Sequence, residues 1–497
     1  MSLLSTIASY YAKYKAALIY KDAANAATCQ DKIFRQLINS AAHTDFGKDH
    51  RFGFIKTFED FVKHVPVRDY EEFKPYIEKI KKGESNILWP GKPLYLSKTS
   101  GTTSGIKYIP ISKESISNHI SGAKNALLMY IAQTGKSDFV SRKLIFLSGS
   151  PELDSISGIP VGRLSGIVNH HVPAYLRKNQ LPSYATNCIS DWEKKVDAIV
   201  NETINEDMSL ISGIPPWVQM YFDRIAEHTG KKIKDVFPNF SLFVYGGVNY
   251  EPYRNKIEAS IGKRIDSIEL YPASEGFIAY QDNQNEPGML LNVNSGIFYE
   301  FIQANDFFNP DAKRITLKET ELNVNYAVIL STNAGLWAYS IGDTIKFVSK
   351  NPHRIVVTGR IKHFISAFGE HVIGEEVEHA LSESVAKFPC EVIEFTVAPQ
   401  VNPPGGLPYH EWFIEFAKAP ASLDEFAIDL DNNLRKRNIY YNDLLTGNIL
   451  QPLKITMLRK NAFIDFMKSE GKLGGQNKVP RLGNDRKIAD ALIAYQS

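Results

Sequence analysis

The stretch Thr99-Ser100-Gly101-Thr102-Thr103-Ser104-Gly105-Ile106-Lys107 gathers hydroxyls, two glycines and a cation in one short run. Glycines let a backbone curl close to a ligand, and hydroxyls with free N–H groups surround phosphate oxygens. Lys107 adds charge that offsets a polyphosphate. The spacing is not that of a Walker loop, which needs four residues between its glycines and then Gly-Lys-Ser/Thr. No GxGxxG occurs, so a Rossmann dinucleotide site is unsupported. The bland alternative is a solvated Ser/Thr/Gly loop between Leu96 and Ile109. Three further segments bear chemistry. Tyr271-Pro272-Ala273-Ser274-Glu275 offers an aromatic face, a hydroxyl and a carboxylate, or else is only a strand ending in a proline turn. Tyr339-Ser340-Ile341-Gly342-Asp343 ends on a carboxylate, its alternative being a hairpin turn. Gln476-Asn477-Lys478-Val479-Pro480-Arg481 holds a lysine in what is otherwise a polar tail.

These segments need elements to hold them. Strand-like and helix-like stretches alternate along the chain, the α/β signature. Thr57 with Asp60, and Asp69 leading to Gly83, signal early helices. A long helix is expected from Ser112 through Asn118, Leu127 and Met129 towards Gly135. KLIFLSG (143–149) reads as a buried strand, and Ser190 with Glu193 as a capping box that opens a helix. SLFVYGG (241–247) and SIELYPA (267–273) read as strands that deliver loops to a sheet edge, where α/β folds bind ligands. Near Gly359 the pattern shifts. A helix from Glu375, strands at 391–399 and 410–417, a helix capped by Ser422 and Glu425, and a strand at 453–458 predict a compact α+β lobe. The expected division is a large domain over 1–358 and a small one over 359–497, with the site in a cleft between them.

Composition narrows the classes. The 497 residues carry 57 Lys+Arg against 55 Asp+Glu, a net charge of +2, and are 43% hydrophobic. That balance argues against the basic stripe of a protein living on nucleic acid or anionic lipid. Cys29, Cys188 and Cys390 lie far apart, which excludes a disulfide scaffold and a CxxC zinc site and fits a reducing compartment. The N-terminal MSLLSTIASYYAKYKAALIY is apolar at helical spacing, but Lys13 and Lys15 interrupt any signal-peptide core. No uncharged apolar run of about 18 residues exists. No membrane span is therefore expected, and a cytoplasmic monomer is the default. A serine hydrolase needs G-x-S-x-G, which is absent. Glu375 and His379, with His371 before them, read as a solvated helix surface rather than a metal site. His170-His171 suggests no ligand role, and Tyr440-Tyr441 reads as packing.

Taken together and in chain order, the segments resemble the adenylate-forming enzymes, which activate a carboxylic acid with ATP. The closer likeness is to the auxin-responsive acyl acid–amido synthetases, the Gretchen Hagen family, which join an activated acid to an amino acid. The run from Phe58 to Ile80, FYEFI (298–302), GRIKHFISAFGEHV (359–372) and QNKVPR (476–481) carry it further, over about residues 30 to 490. The resemblance implies a large adenylate-forming domain with mixed sheets and a mobile α+β cap. It implies that Ser100, Gly101, Thr102, Thr103 and Ser104 line the β- and γ-phosphates of ATP, with Lys107 nearby. Gly246 and Gly247 would approach the adenine edge, Tyr271 would stack on the base, and Ser274 would contact the α-phosphate. Glu275 would hold Mg²⁺, Asp343 the ribose hydroxyls, and Arg360 would reach ribose or phosphate from the hinge. Lys478 would enter from the cap to neutralise charge during adenylation. Two departures are visible: a single Lys107 where the family commonly has a basic pair, and Tyr-Pro-Ala-Ser-Glu where plant members carry Tyr-Ala-Ser-Ser-Glu. The partners implied are a small carboxylic acid and an amino acid or other amine, with no nucleic acid and no membrane. The alternatives are an acid–CoA ligase of the phenylacetate type and an inactive adenylate-binding protein. The joint presence of Glu275, Asp343 and Lys478 argues against the latter.

Overall fold

The computed structural model describes residues 3–102, 105–172, 177–247, 250–361, 364–365, 367–370, 372–470, 479 and 481–497. Four sheets are seen among them. Strands β1 (Tyr95–Thr102) and β2 (Gly105–Ile111) form an antiparallel hairpin. The next strand, β3 (Lys143–Phe146), belongs to a second sheet, while β4 (Asp154–Ile156) and β5 (Ile159–Gly162) complete the first. The second sheet has twelve strands and two characters. Its parallel part holds β3, β6 (Gln180–Leu181), β7 (Met208–Ser212), β8 (Leu242–Gly246) and β9 (Asp266–Ala273). From β9 onward every pairing is antiparallel. That part holds β10 (Gly276–Tyr280), β11 (Met289–Leu291), β12 (Ile297–Gln303), β13 (Ile315–Thr316), β14 (Asn325–Thr332), β15 (Tyr339–Lys350) and β16 (His353–Arg360).

The helices start where side chains satisfy their first N–H groups. Thr57 with Asp60 and Asp69 with Glu72 form capping boxes for Phe58–His64 and Tyr70–Lys81. Ser112 caps Lys113–Thr134, which Gly135 ends in the left-handed conformation at φ 73°. One expectation moves by a residue. The helix Trp192–Thr203 is capped by Asp191, whose carboxylate accepts from Lys194 N, and not by Ser190. Both residues suit the cap by type, and the chain path selects between them.

After β16 come the short pair β17 (Phe364–Ile365) and β18 (Val372–Ile373), then the helix Gly374–Lys387. A three-stranded sheet follows, from β19 (Glu391–Gln400), β20 (Tyr409–Lys418) and β21 (Lys454–Leu458). The helices Leu423–Arg437 and Ile439–Thr446 sit between β20 and β21. The predicted α-β-β-α-β order therefore holds with one extra helix, Ile439–Thr446. One apolar cluster joins the two regions: Ile145, Ile211 and Phe243 of the large sheet share it with Phe368, Trp412 and Tyr441.

The FYEFI run lies in β12, buried from Ile297 to Ile302. Its Glu300 is fully buried and pairs with Arg314, whose Nε donates at 2.8 Å while Nη1 reaches the Val65 carbonyl. That ion pair ties the core strand to Val65, at the end of the helix Phe58–His64.

Candidate functional site

The Ser/Thr/Gly segment is a hairpin and not an open loop. β1 continues through Thr102 and β2 starts at Gly105, with an irregular register between Thr99 and Thr102. Thr103 and Ser104 lie outside the described residues, as do the side chains of Ser100 and Thr102; Gly101 lies within β1. Lys107 stands opposite Thr99, and so on the face of the hairpin that carries Ser97. Its ammonium sits 5.8 Å from the Tyr70 ring centroid, close enough for a cation–π contact. Tyr70 is itself held, because its hydroxyl accepts from Tyr108 N at 2.9 Å, and burial pushes its pKa up to about 12.

Two hydrogen bonds bring distant segments to one place. The buried Ser97 Oγ lies 2.9 Å from Ser274 Oγ, joining the hairpin sheet to the large sheet. The Tyr271 hydroxyl donates to Asp343 Oδ2 at 2.6 Å. Ser274 and Glu275 are the two-residue turn between β9 and β10, so strand β9 runs through Pro272 and the proline does not end it. Asp343 is inside the twelve-residue strand β15, which rejects the hairpin-turn alternative, and it stands directly opposite Arg360 of β16. Directly opposed residues share a face with Cβ atoms about 5 Å apart. The Arg360 side chain lies outside the described residues.

Gly246 and Gly247 close β8 beside β9. A Cβ on Gly246 would meet the Leu270 carbonyl oxygen at 2.6 Å, so the neighbouring strand by itself demands glycine there. Gly247 has φ +80° with open space around its Cβ direction. The carboxyl ends of β8 and β9 thus reach the same edge, where parallel sheets collect ligands.

The second region touches the hairpin sheet through the helix Ile439–Thr446. Asp443 pairs with Arg163, just after β5. The Arg163 guanidinium lies 4.9 Å from the Tyr440 ring centroid, and Tyr440 OH reaches the Lys98 carbonyl at 3.5 Å. Tyr441 is buried and donates to Asp431 at 2.6 Å, a packing role as expected. Lys478 lies outside the described residues. Downstream of it Val479 is buried, Val397 N donates to the Arg481 carbonyl at 3.0 Å, and Arg481 Nε reaches Glu378 at 3.2 Å. The FGEH run is anchored too: buried Glu370 accepts from Phe368 N and lies 2.8 Å from His410 Nε2 of β20.

Sequence reasoning missed Ser97, Tyr70, Arg163 and Asp443. Only Ser97 left a signal, standing two residues from Thr99 on the same strand face. Among the described residues no group of three or more His, Cys, Asp or Glu clusters as for a metal. His371 and the Glu375 side chain lie outside them. His170 and His171 bind the Pro151 carbonyl and Tyr95 OH.

Three family models match the chain in order. The GH3 family N-terminal domain matches residues 15–188, the central domain 290–360 and the C-terminal domain 375–487. The jasmonoyl–L-amino acid synthetase JAR6 of Nicotiana attenuata is 21% identical over an alignment of 504 residues, spanning 85% of each chain. Among solved structures, the AtGH3.15 acyl acid amido synthetase in complex with 2,4-DB superposes with TM-score 0.63 at 15% identity, covering 98% of this chain and 96% of that one. A 2-hydroxyisobutyryl-CoA ligase in complex with 2-HIB-AMP and CoA gives TM-score 0.59 at 13% identity, covering 94% and 91%. At these identities the structural likenesses establish the fold.

Proposed function

The chain belongs to the GH3 family, and from that premise we propose that it adenylates a small carboxylic acid with ATP and passes the acyl group to an amino acid or another amine. The observation that carries this reading is the convergence of three separated motifs, through Ser97–Ser274 and Tyr271–Asp343, at one sheet edge. In the first half-reaction the acid's carboxylate attacks the α-phosphate and pyrophosphate leaves. In the second the amine attacks the acyl carbon and AMP leaves.

Each residue has work suited to its chemistry. The N–H groups and hydroxyls of Ser100, Gly101, Thr102, Thr103 and Ser104 hold the β- and γ-phosphates, with Lys107 offsetting their charge. Tyr271 presents its ring to the base while its hydroxyl fixes Asp343, whose carboxylate accepts from the ribose. Gly246 and Gly247 leave room for the adenine edge. Ser274 donates to the α-phosphate, and Arg360 reaches ribose or phosphate from the end of β16. Lys478 neutralises charge that develops as carboxylate meets phosphate, the electrostatic stabilisation that is typically the largest catalytic contribution. Glu275 would hold a Mg²⁺, because Mg²⁺ prefers one or two carboxylates plus phosphate oxygens over an all-protein cage and Glu275 stands in the β9–β10 turn beside Ser274. When bound, the ion shields phosphate charge. Residues 359–497 act as the cap that carries Lys478, and 1–358 as the body. A monomer suffices for this chemistry.

The fold likeness to a CoA ligase keeps acid–CoA ligation as the second reading, since both share the first half-reaction. An acid-by-acceptor screen with ATP and mass detection of products decides. Amides with one or more amino acids are expected. Thioesters with CoA, and no amide with any amine, would move the assignment to the ligase.

A further inference from the structure

We propose that the N-terminal helix α1 (Leu3–Ala24) is a docking surface for an anionic lipid bilayer, lying along the headgroup layer. The idea stands apart from the proposed amide chemistry. One face of α1 is fully used. Ala12, Ala16 and Ala23 are buried with Ala126 and Tyr130 of the helix Lys113–Thr134. Ser9 Oγ meets Ser137 Oγ at 3.1 Å, and Tyr20 OH donates to Asp282 at 2.8 Å. Those contacts hold the helix rigidly and leave its other face to solvent.

That other face is apolar. Leu4 (58% exposed), Ile7 (58%), Tyr11 (38%), Tyr14 (62%) and Leu18 (39%) follow the 3–4 spacing of a single helical stripe, with Tyr10 (74%) beside it. The three tyrosines expose about 350 Å², taking roughly 200 Å² for a whole side chain, and the aliphatics bring the stripe to about 600 Å². This is the upper end of what a monomer leaves uncovered. It falls short of the roughly 800 Å² per partner of a standard protein interface, so a second copy is poorly served.

Charge selects the occupant. Against a single carboxylate, Asp22, which accepts from Asn294 Nδ2 at 2.9 Å, the helix carries Lys13, Lys15 and Lys21. Lys124 adds a fourth, its ammonium 5.0 Å from the Tyr11 ring centroid. An exposed apolar stripe on a helix with an excess of lysines over carboxylates suits an anionic lipid surface, and tyrosine suits the headgroup layer because one end is apolar and the other wet. Two copies would instead oppose lysine to lysine. No helix among the described residues is long and apolar enough to cross a membrane, so α1 would lie on the bilayer. The overall charge of +2 concealed this local feature.

The test is co-sedimentation of the full chain with phosphatidylcholine vesicles, with and without about a third phosphatidylserine. Binding is expected to the anionic vesicles, weakening roughly 25-fold for each lysine reversed in K13E and K15E, at about fivefold per unit of charge, and falling at raised salt. The double variant I7Q/Y14Q changes only side chains that are more than half exposed, so it is expected to melt like the parent while losing at least roughly tenfold in binding. Equal binding to neutral and anionic vesicles, or to neither, would overturn the proposal. So would a concentration-dependent dimer in sedimentation velocity that I7Q/Y14Q dissolves, because the stripe would then belong to a second copy. Should I7Q/Y14Q fail to fold, the lysine reversals and the salt series decide alone.

Discussion

Asp343 and Tyr271 act as a pair. A hydrogen bond to a charged acceptor contributes about 1.5–3 kcal/mol, most of it realised only if the geometry is already set. At 2.6 Å the phenol holds one carboxylate oxygen and thereby orients the other. Tyr271→Phe keeps the ring and releases the carboxylate, so it should raise KM for ATP about tenfold with little change in kcat. An unchanged KM in steady-state kinetics would remove Asp343 from the nucleotide site. Lys478→Ala should do the reverse, lowering acid-dependent ATP–pyrophosphate exchange by about 10²–10³ while calorimetry still detects ATP binding. Exchange at the parent rate would take the lysine out of adenylation. Residue types suggested these roles from the sequence. Which hydroxyl meets which carboxylate was not legible, because 72 residues separate Tyr271 from Asp343.

Elements explain why the site forms where it does. β8 and β9 run in parallel register, with Gly246 against Leu270, and deliver their ends to one edge. β15 returns antiparallel to β16, so Asp343 and Arg360 meet by register. Caps foretold the helices Phe58–His64, Tyr70–Lys81, Lys113–Thr134 and Leu423–Arg437, since Thr57, Asp69, Ser112 and Ser422 satisfy local N–H groups and need no distant partner, whereas helices such as Ala26–Ala41, Pro215–Thr229 and Glu251–Ile261 were not foreseen. The helix Ile439–Thr446 escaped because its short apolar run reads equally as loop or strand. Yet it adds polar contacts between the two regions, through Arg163–Asp443 and Tyr440, to the apolar cluster that joins them. Both charged side chains are more than a third exposed, so the pair's worth is conformational more than energetic. Arg163→Ala should slow the half-reaction that uses this arrangement and spare the other, as measured by pyrophosphate exchange against amide formation from preformed acyl-adenylate. Equal effects on both would make it an ordinary surface ion pair.

For the molecule as a whole, stability should carry a histidine signature. His119 is buried on the helix Lys113–Thr134, and among the described residues neither ring nitrogen has a hydrogen-bond partner. Burial pushes its pKa down to about 4. The unfolded chain protonates it near 6.5, so the folded state is fully favoured above that pH and loses stability as pH falls towards 4. The loss is about 2 kcal/mol between pH 7 and pH 5. Urea titrations should show His119→Leu losing that much less over the same range; parallel curves would mean that the imidazole is solvated in the fold. The sequence by itself determined the α/β class, several helix caps, strands such as β3, β8, β9, β19, β20 and β21, and the likeness to the amido synthetases, because these reside in local chemistry and short-range periodicity. Only the tertiary structure decided that Ser97 links two sheets, that Glu300 belongs to packing, and that α1 keeps an apolar face uncovered. Those facts depend on what lies across space, and burial and pairing between distant segments leave no mark in the neighbouring residues.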